Sequence, residues 1–120
     1  MRVLVTGADG FVGRWVLQAL AAAGHEARAG IRPGSPALGA GVGAPAVPLE
    51  LTDDASVRAA LSDPPEAVVH LAAVASNRAA GLDPGWAWTV NAAGTARLLE
   101  ALAGLRAAGA DPLALVVSSG

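Results

Sequence analysis

Thr6-Gly7-Ala8-Asp9-Gly10-Phe11-Val12-Gly13 is the stretch of this chain whose residue types and spacing most plainly imply chemistry. Three glycines spaced G-x-x-G-x-x-G suit a backbone that turns sharply and lies against a phosphate. A short apolar strand, Val3-Leu4-Val5, precedes them and an apolar helical stretch follows. The first N–H groups of that helix, with the positive end of its dipole, would then face the same phosphate. Gly7 would make the turn, Gly10 would admit a pyrophosphate and Gly13 would let the helix pack on the sheet. A dinucleotide is the ligand this arrangement implies; a tight strand-to-helix turn without a ligand is the plainer alternative.

The end of the second strand discriminates between dinucleotides. An acid there, about twenty residues past the glycines, holds the ribose hydroxyls of NAD, whereas a nearby arginine accommodates the 2′-phosphate of NADP. This chain has Ile31-Arg32 at that point and no acid. Arg32 therefore favours NADP over NAD. Arg14, just past the glycines, is a second candidate, and a solvated loop arginine is the plain reading of Arg32.

The elements that must position these residues alternate between strand and helix along the whole chain. Strands are expected at Arg2–Thr6, Glu26–Ile31, Ala46–Leu49, Ala67–Ala72 and Leu113–Val117. The first helix runs from Phe11 to Ala23, with Val12, Val16 and Leu20 as its apolar stripe and Gly24 as its stop. Pro33 to Pro48 is rich in Gly, Pro and Ala and reads as a surface connection in place of a helix. A short helix capped by Thr52 or Asp53 runs to Leu61, its Val57 and Leu61 turned inward, and Pro64-Pro65 ends it. Asp83-Pro84 caps a long helix that carries Leu98, Leu99, Leu102 and Leu105 and closes at Gly109. The continuous apolar run Ala67–Ala72 suits a strand buried on both faces. Five strands with helical crossovers give a doubly wound parallel sheet, a Rossmann-like α/β fold with strand order 3-2-1-4-5 over residues 1–120.

Composition narrows the function classes. The chain has 120 residues, is 53% hydrophobic and only 15% charged, and carries a formal net charge of −2. Its basic residues are all arginines and are scattered, so no nucleic-acid footprint exists. With no cysteine there is neither a disulfide nor a thiolate metal site, and His25 and His70 lack partners at ligand spacing, so no metal is expected. No uncharged apolar run reaches the ~18 residues of a membrane span. The N-terminus runs directly into a strand, unlike a signal peptide. A cytoplasmic protein is expected.

Five motifs in order carry a resemblance that covers essentially all of the chain: Thr6-Gly7-x-x-Gly10-x-x-Gly13, Glu50-Leu51, His70-Leu71-Ala72-Ala73, Asn91-x-x-Gly94-Thr95 and Val116-Val117-Ser118-Ser119. Together they resemble the N-terminal, NAD(P)-binding half of the extended short-chain dehydrogenase/reductases, the epimerases, dehydratases and reductases of nucleotide sugars. The resemblance implies that Phe11 and Val12 join Gly7, Gly10 and Gly13 at the cofactor. It implies that Glu50 and Leu51 recognise adenine, although the commoner residue is Asp, and that Leu71, Ala72 and Ala73 line the cofactor at the mouth of the fourth strand. Asn91, a poor helix former inside a helix, would brace the strands around the site. Ser119, with Ser118 as runner-up, would be the catalytic serine. His70 reads as a core or edge histidine rather than a catalyst. Trp86 and Trp88 lie two apart and point in different directions, one of them expected in the core or at a subunit contact.

The family transfers hydride with a Tyr-x-x-x-Lys pair, and this chain contains neither Tyr nor Lys. On the resemblance, that pair, the sugar-binding part and a later helix that would cover the Leu98–Leu105 face all lie outside these residues. The complete protein would then be a homodimer acting on a nucleotide sugar, and the chain alone would be inactive. The motifs look most like GDP-sugar 4,6-dehydratases and 4-keto-sugar reductases. The alternatives are a non-catalytic NADP-binding or redox-sensing module and a truncated, inactive product.

Overall fold

The computed structural model describes residues 1–36, 38–39 and 42–118. Five parallel strands form one sheet: β1 (Arg2–Thr6), β2 (Glu26–Ile31), β3 (Ala46–Pro48), β4 (Ala67–His70) and β5 (Leu113–Val116), in spatial order β3-β2-β1-β4-β5. This is the expected Rossmann-like order, with β1 at the centre.

Alternation along the strands sorts their side chains onto two faces. Leu4 and its register partner Val68 point to one face, packed with Leu49, Leu51, Val57, Leu61, Leu98 and Leu102. Val3 and Val5, beside Ala67 and Val69, point to the other, against Leu17 and Ala29. Helix α1 (Phe11–Ala22) covers the second face; α2 (Asp54–Ala60) and α5 (Thr95–Ala107) cover the first. Both faces of the central strands are therefore dry, as their continuous apolar composition requires.

Four expectations about the helices need correction. The inward stripe of α1 is Gly13, Val16, Leu17 and Leu20, whereas Val12 is exposed. Leu38, Val42 and Ala44 of the connection between β2 and β3 pack against the α1 face, so that segment is not merely a surface tether. The stretch expected as one long helix is α4 (Pro84–Trp88), a π-helical segment (Thr89–Gly94) and α5, preceded by an additional helix, α3 (Asn77–Leu82). Its leucines are not left bare: Leu98 and Leu102 are in the core, and Leu99 alone of the four is exposed. Exposed apolar residues gather instead on β5, where Leu113, Leu115 and Val116 are open on a strand at the sheet's edge.

Capping follows local chemistry. The Asp53 carboxylate accepts from Ala55 N–H at 2.9 Å and starts α2. Asp83 accepts from Trp86 N–H at 2.9 Å, with Pro84 as first residue of α4. No helix among the described residues is long and apolar enough to cross a membrane.

Candidate functional site

A cleft of about 450 Å³ opens at the carboxyl ends of β1, β2, β3 and β4, where open parallel sheets bind ligands. That volume lies within the range of small-molecule sites. Gly7, Gly10, Phe11, Val12 and Gly13 form one wall; Arg32, Glu50 and Leu51 form another; Leu71, Ala72 and Ala73 form the third.

Each glycine of the loop has its own physical reason. Gly7 has φ +65°, and a Cβ there would stand 2.7 Å from the backbone nitrogen of Ala72. It lets the β1 loop touch the β4 loop as well as turn. A Cβ on Gly13 would stand 2.5 Å from the Gly7 carbonyl oxygen and 2.6 Å from Ala8 Cα. The close contact of Gly13 is thus with the turn itself, not with the sheet. Gly10 is different: its φ of −74° suits any residue, and a Cβ would meet only the Gly7 oxygen, at 3.2 Å, while the residue lines the cleft. As N-cap it offers no side-chain acceptor, and the first turn of α1 holds no acid. The N–H groups of that turn and the helix dipole are therefore available to an anion in the cleft.

Behind the cleft, one chain of hydrogen bonds joins β1, β4 and α5. The Thr95 hydroxyl donates to the Asn91 carbonyl at 2.6 Å, so it must accept from Nε2–H of His70 at 2.8 Å. The Thr6 oxygen accepts from the Leu71 and Ala72 N–H groups, each at 3.1 Å, so its own proton goes to His70 Nδ1 at 2.7 Å, and the imidazole is neutral. Burial holds the His70 pKa below the usual histidine range, in agreement with this neutral form. Its role is the expected structural one.

The Asn91-x-x-Gly94-Thr95 motif acquires a physical meaning here. Asn91 Oδ1 accepts from Val74 N–H at 2.7 Å and its Nδ2 donates to the Val74 carbonyl at 3.1 Å. Gly94 faces Leu51, whose Cβ a side chain would meet at 3.1 Å, and Thr95 closes the His70 chain. All three lie in or beside the π-helical segment, a distortion common where a helix serves a site. Asn91 therefore does not line the cleft; it holds the loop that does. We expect Asn91→Ala to cost about 1–2 kcal/mol in urea unfolding, the worth of two hydrogen bonds, and to weaken ligand binding through loosening of residues 71–75.

At the cleft's other end, Arg32 Nε lies 3.3 Å from Glu50 Oε2, while Glu50 Oε1 accepts from the Thr52 hydroxyl at 3.0 Å. Parallel pairing of Ile31 with Pro48 brings the two side chains together. Arg97 secures this loop from α5, with Nη1 donating to the Leu51 carbonyl at 2.7 Å and Nε to Asp54 at 2.6 Å. The lining also includes residues that the sequence motifs do not single out: Asp9, Gly30, Leu49, Val74, Ala75, Val90 and Trp86. Gly30 was detectable, because a glycine inside a strand marks a close approach; its Cβ would meet Leu49 at 3.0 Å and the Val5 carbonyl at 3.1 Å. Trp86 lines the cleft and Trp88 is exposed, so of the two expected places, core or subunit contact, the core is excluded for both. Ser119 lies outside the described residues. Among those residues no cluster of three potential metal ligands occurs.

Comparisons with known proteins agree with this architecture. A Burkholderia cenocepacia protein of known crystal structure is 37% identical, with TM-score 0.85, over 99% of this chain and 37% of its own. The UDP-glucose 4-epimerase of Thermus thermophilus, solved in complex with NAD, is 34% identical with TM-score 0.75, over 84% of this chain and 33% of its own. A short-chain dehydrogenase/reductase superfamily protein from Agrobacterium tumefaciens, solved with bound NAD, is 34% identical with TM-score 0.76, over 100% of this chain and 33% of its own. The chain thus spans about a third of the length of these structures. No curated protein matches it. The sequence model of the NAD dependent epimerase/dehydratase family matches residues 3–120, and the chain belongs to that family.

Proposed function

We propose that residues 1–120 are the NAD(P)-binding domain of an enzyme that modifies a nucleotide sugar by reversible hydride transfer. The observation that carries this reading is the cleft itself. An uncapped helix N-terminus, a glycine that closes against Ala72, and a wall of small residues face one another across a space of dinucleotide scale. The pyrophosphate would lie on the α1 N-terminus, held by Gly10, Phe11, Val12 and Gly13. Adenosine would lie toward Arg32, Glu50 and Leu51, and the nicotinamide ribose toward Leu71, Ala72 and Ala73. When bound, the nicotinamide ring supplies hydride acceptance and return; the residues described here bind and orient it. Ser119 would contact the reacting oxygen of the sugar. The chain has no Tyr or Lys, so the proton-transfer pair of the family is proposed to lie outside residues 1–120, with the sugar-binding part. The solved relatives with a named substrate or activity include UDP-glucose 4-epimerases, which supports a UDP-sugar over the GDP-sugar suggested by the sequence motifs.

NAD is the dinucleotide held by the relatives, whereas Arg32 favours NADP. The Glu50 carboxylate beside Arg32 already occupies part of that guanidinium and would repel a 2′-phosphate. We expect binding of both cofactors, and Arg32→Ala should weaken NADPH about tenfold while changing NADH less than about threefold, a charge-assisted contact being worth about 1.5 kcal/mol or more. Titration calorimetry with both nucleotides checks this; equal losses would make Arg32 a bystander.

A further inference from the structure

One contact in the cleft has no part in that assignment. Trp86 enters the cleft from α4, and the Arg32 guanidinium lies over its ring, 5.7 Å from the centroid. A cation at this distance over an indole face is attracted by the ring's quadrupole. The other tether of Arg32 is weak, because its side chain is 64% exposed and its nearest Glu50 oxygen is 3.3 Å away. The backbone that carries the indole is held more firmly. Asp83 caps the backbone N–H of Trp86, Pro84 starts the helix, and the Thr89 hydroxyl donates to the Gly85 carbonyl at 2.9 Å. An aromatic face that lines the cleft from a capped helical turn and carries a planar, displaceable cation is chemically suited to a planar base. Stacking of a base on an aromatic side chain is favourable and needs no particular hydrogen-bond pattern.

We propose that Trp86 is the base-stacking residue of this cleft: the adenine ring of the dinucleotide stacks on its indole in the place that the Arg32 guanidinium occupies. Arg32 then turns toward Glu50 and the ribose. This rests on the nucleotide reading of the same cleft. It assigns affinity at the adenosine end to a residue on a helix after β4, in addition to Glu50 and Leu51.

The other two tryptophans make the test practical. Trp15 and Trp88 are largely exposed and do not line the cleft, so the double variant W15F/W88F leaves Trp86 as the one indole. The probe is AMP, with ribose 5-phosphate as control, and calorimetry measures binding independently of emission. We expect AMP to quench Trp86 emission saturably, at the concentrations at which calorimetry registers binding, and ribose 5-phosphate to leave emission unchanged. Trp86→Ala should weaken AMP about tenfold, and Trp86→Phe, which keeps an aromatic face, clearly less. AMP binding that leaves Trp86 emission unmoved, or equal affinity in Trp86→Ala, would overturn the proposal while the nucleotide site stands. Absence of any binding of AMP and NAD to the folded chain would overturn both.

Discussion

Gly13→Val is expected to leave the chain without a stable fold, and Gly10→Val to leave it folded but unable to hold a dinucleotide. The two substitutions add the same side chain three residues apart in one loop. What separates them is the space each Cβ enters. At Gly13 it meets the Gly7 carbonyl oxygen at 2.5 Å and Ala8 Cα at 2.6 Å, both backbone atoms of a turn packed against the sheet. Ala8 and Leu17 on either side are buried, so α1 cannot back away without opening the face that covers Val3 and Val5. Overpacking of this kind costs about 3 kcal/mol or more, a large share of the stability of a small domain. At Gly10 the added carbon has one neighbour, at 3.2 Å, and otherwise projects where the phosphate would sit. Circular dichroism and thermal melting should therefore be near wild type for Gly10→Val, while NAD affinity falls about a hundredfold, equivalent to loss of one or two charge-assisted hydrogen bonds. Gly13→Val should lose the cooperative melt.

The second large effect is expected at Thr6, which is fully buried. Thr6→Val keeps shape and volume but removes the oxygen that donates to His70 and accepts from Ala72 N–H. The Leu71 N–H retains the Thr6 carbonyl at 3.3 Å as an alternative; His70 Nδ1 and Ala72 N–H do not. With about 1–3 kcal/mol for the buried His70 Nδ1 left unpaired and about 1 kcal/mol for the part-buried Ala72 N–H, urea unfolding should register a loss of about 2–4 kcal/mol. Thr6→Ser, which keeps the hydroxyl, should cost about 1 kcal/mol. The same network sets a pH dependence. His70 is held neutral in the folded chain, with its pKa below that of the unfolded chain. Its contribution is therefore complete above the ordinary histidine pKa of about 6.5 and is lost as pH falls through and below that value. Protonation would turn Nδ1 into a donor against a Thr6 oxygen that already accepts two N–H groups. His70→Ala should remove this part of the pH dependence.

How much of this was legible in the residues depends on the kind of information each feature needs. Strand order and the glycine loop were readable because Val3-Leu4-Val5 and Ala67–His70 are short, continuous apolar runs and because the loop's glycines answer local demands. Helix faces were less so. In an alanine-rich chain the every-fourth-residue stripe through Val12 competes with one through Gly13 and Leu17, and only packing on the sheet chooses between them. The π-helical segment had no signature in apolar period, since a shifted hydrogen-bond ladder leaves composition unchanged. Asn91, Gly94 and Thr95 were recognisable as a motif, but their partners Val74, Leu51 and His70 come from three other parts of the chain. Arg32 was identifiable from its place after β2, whereas its pairing with Glu50 depends on the β2–β3 register. Trp86 was not legible as a lining residue because its spacing from Trp88 gives a relative direction on a helix, not which direction meets the cleft.

Titration of NAD into the chain, with Gly10→Val measured alongside, tests the central claim most directly. Saturable one-site binding to the wild-type chain, largely abolished in a Gly10→Val variant that melts normally, is the predicted result. A folded wild-type chain that binds neither NAD nor NADP, or a Gly10→Val variant that binds as tightly as wild type, would contradict the assignment of this cleft to a dinucleotide.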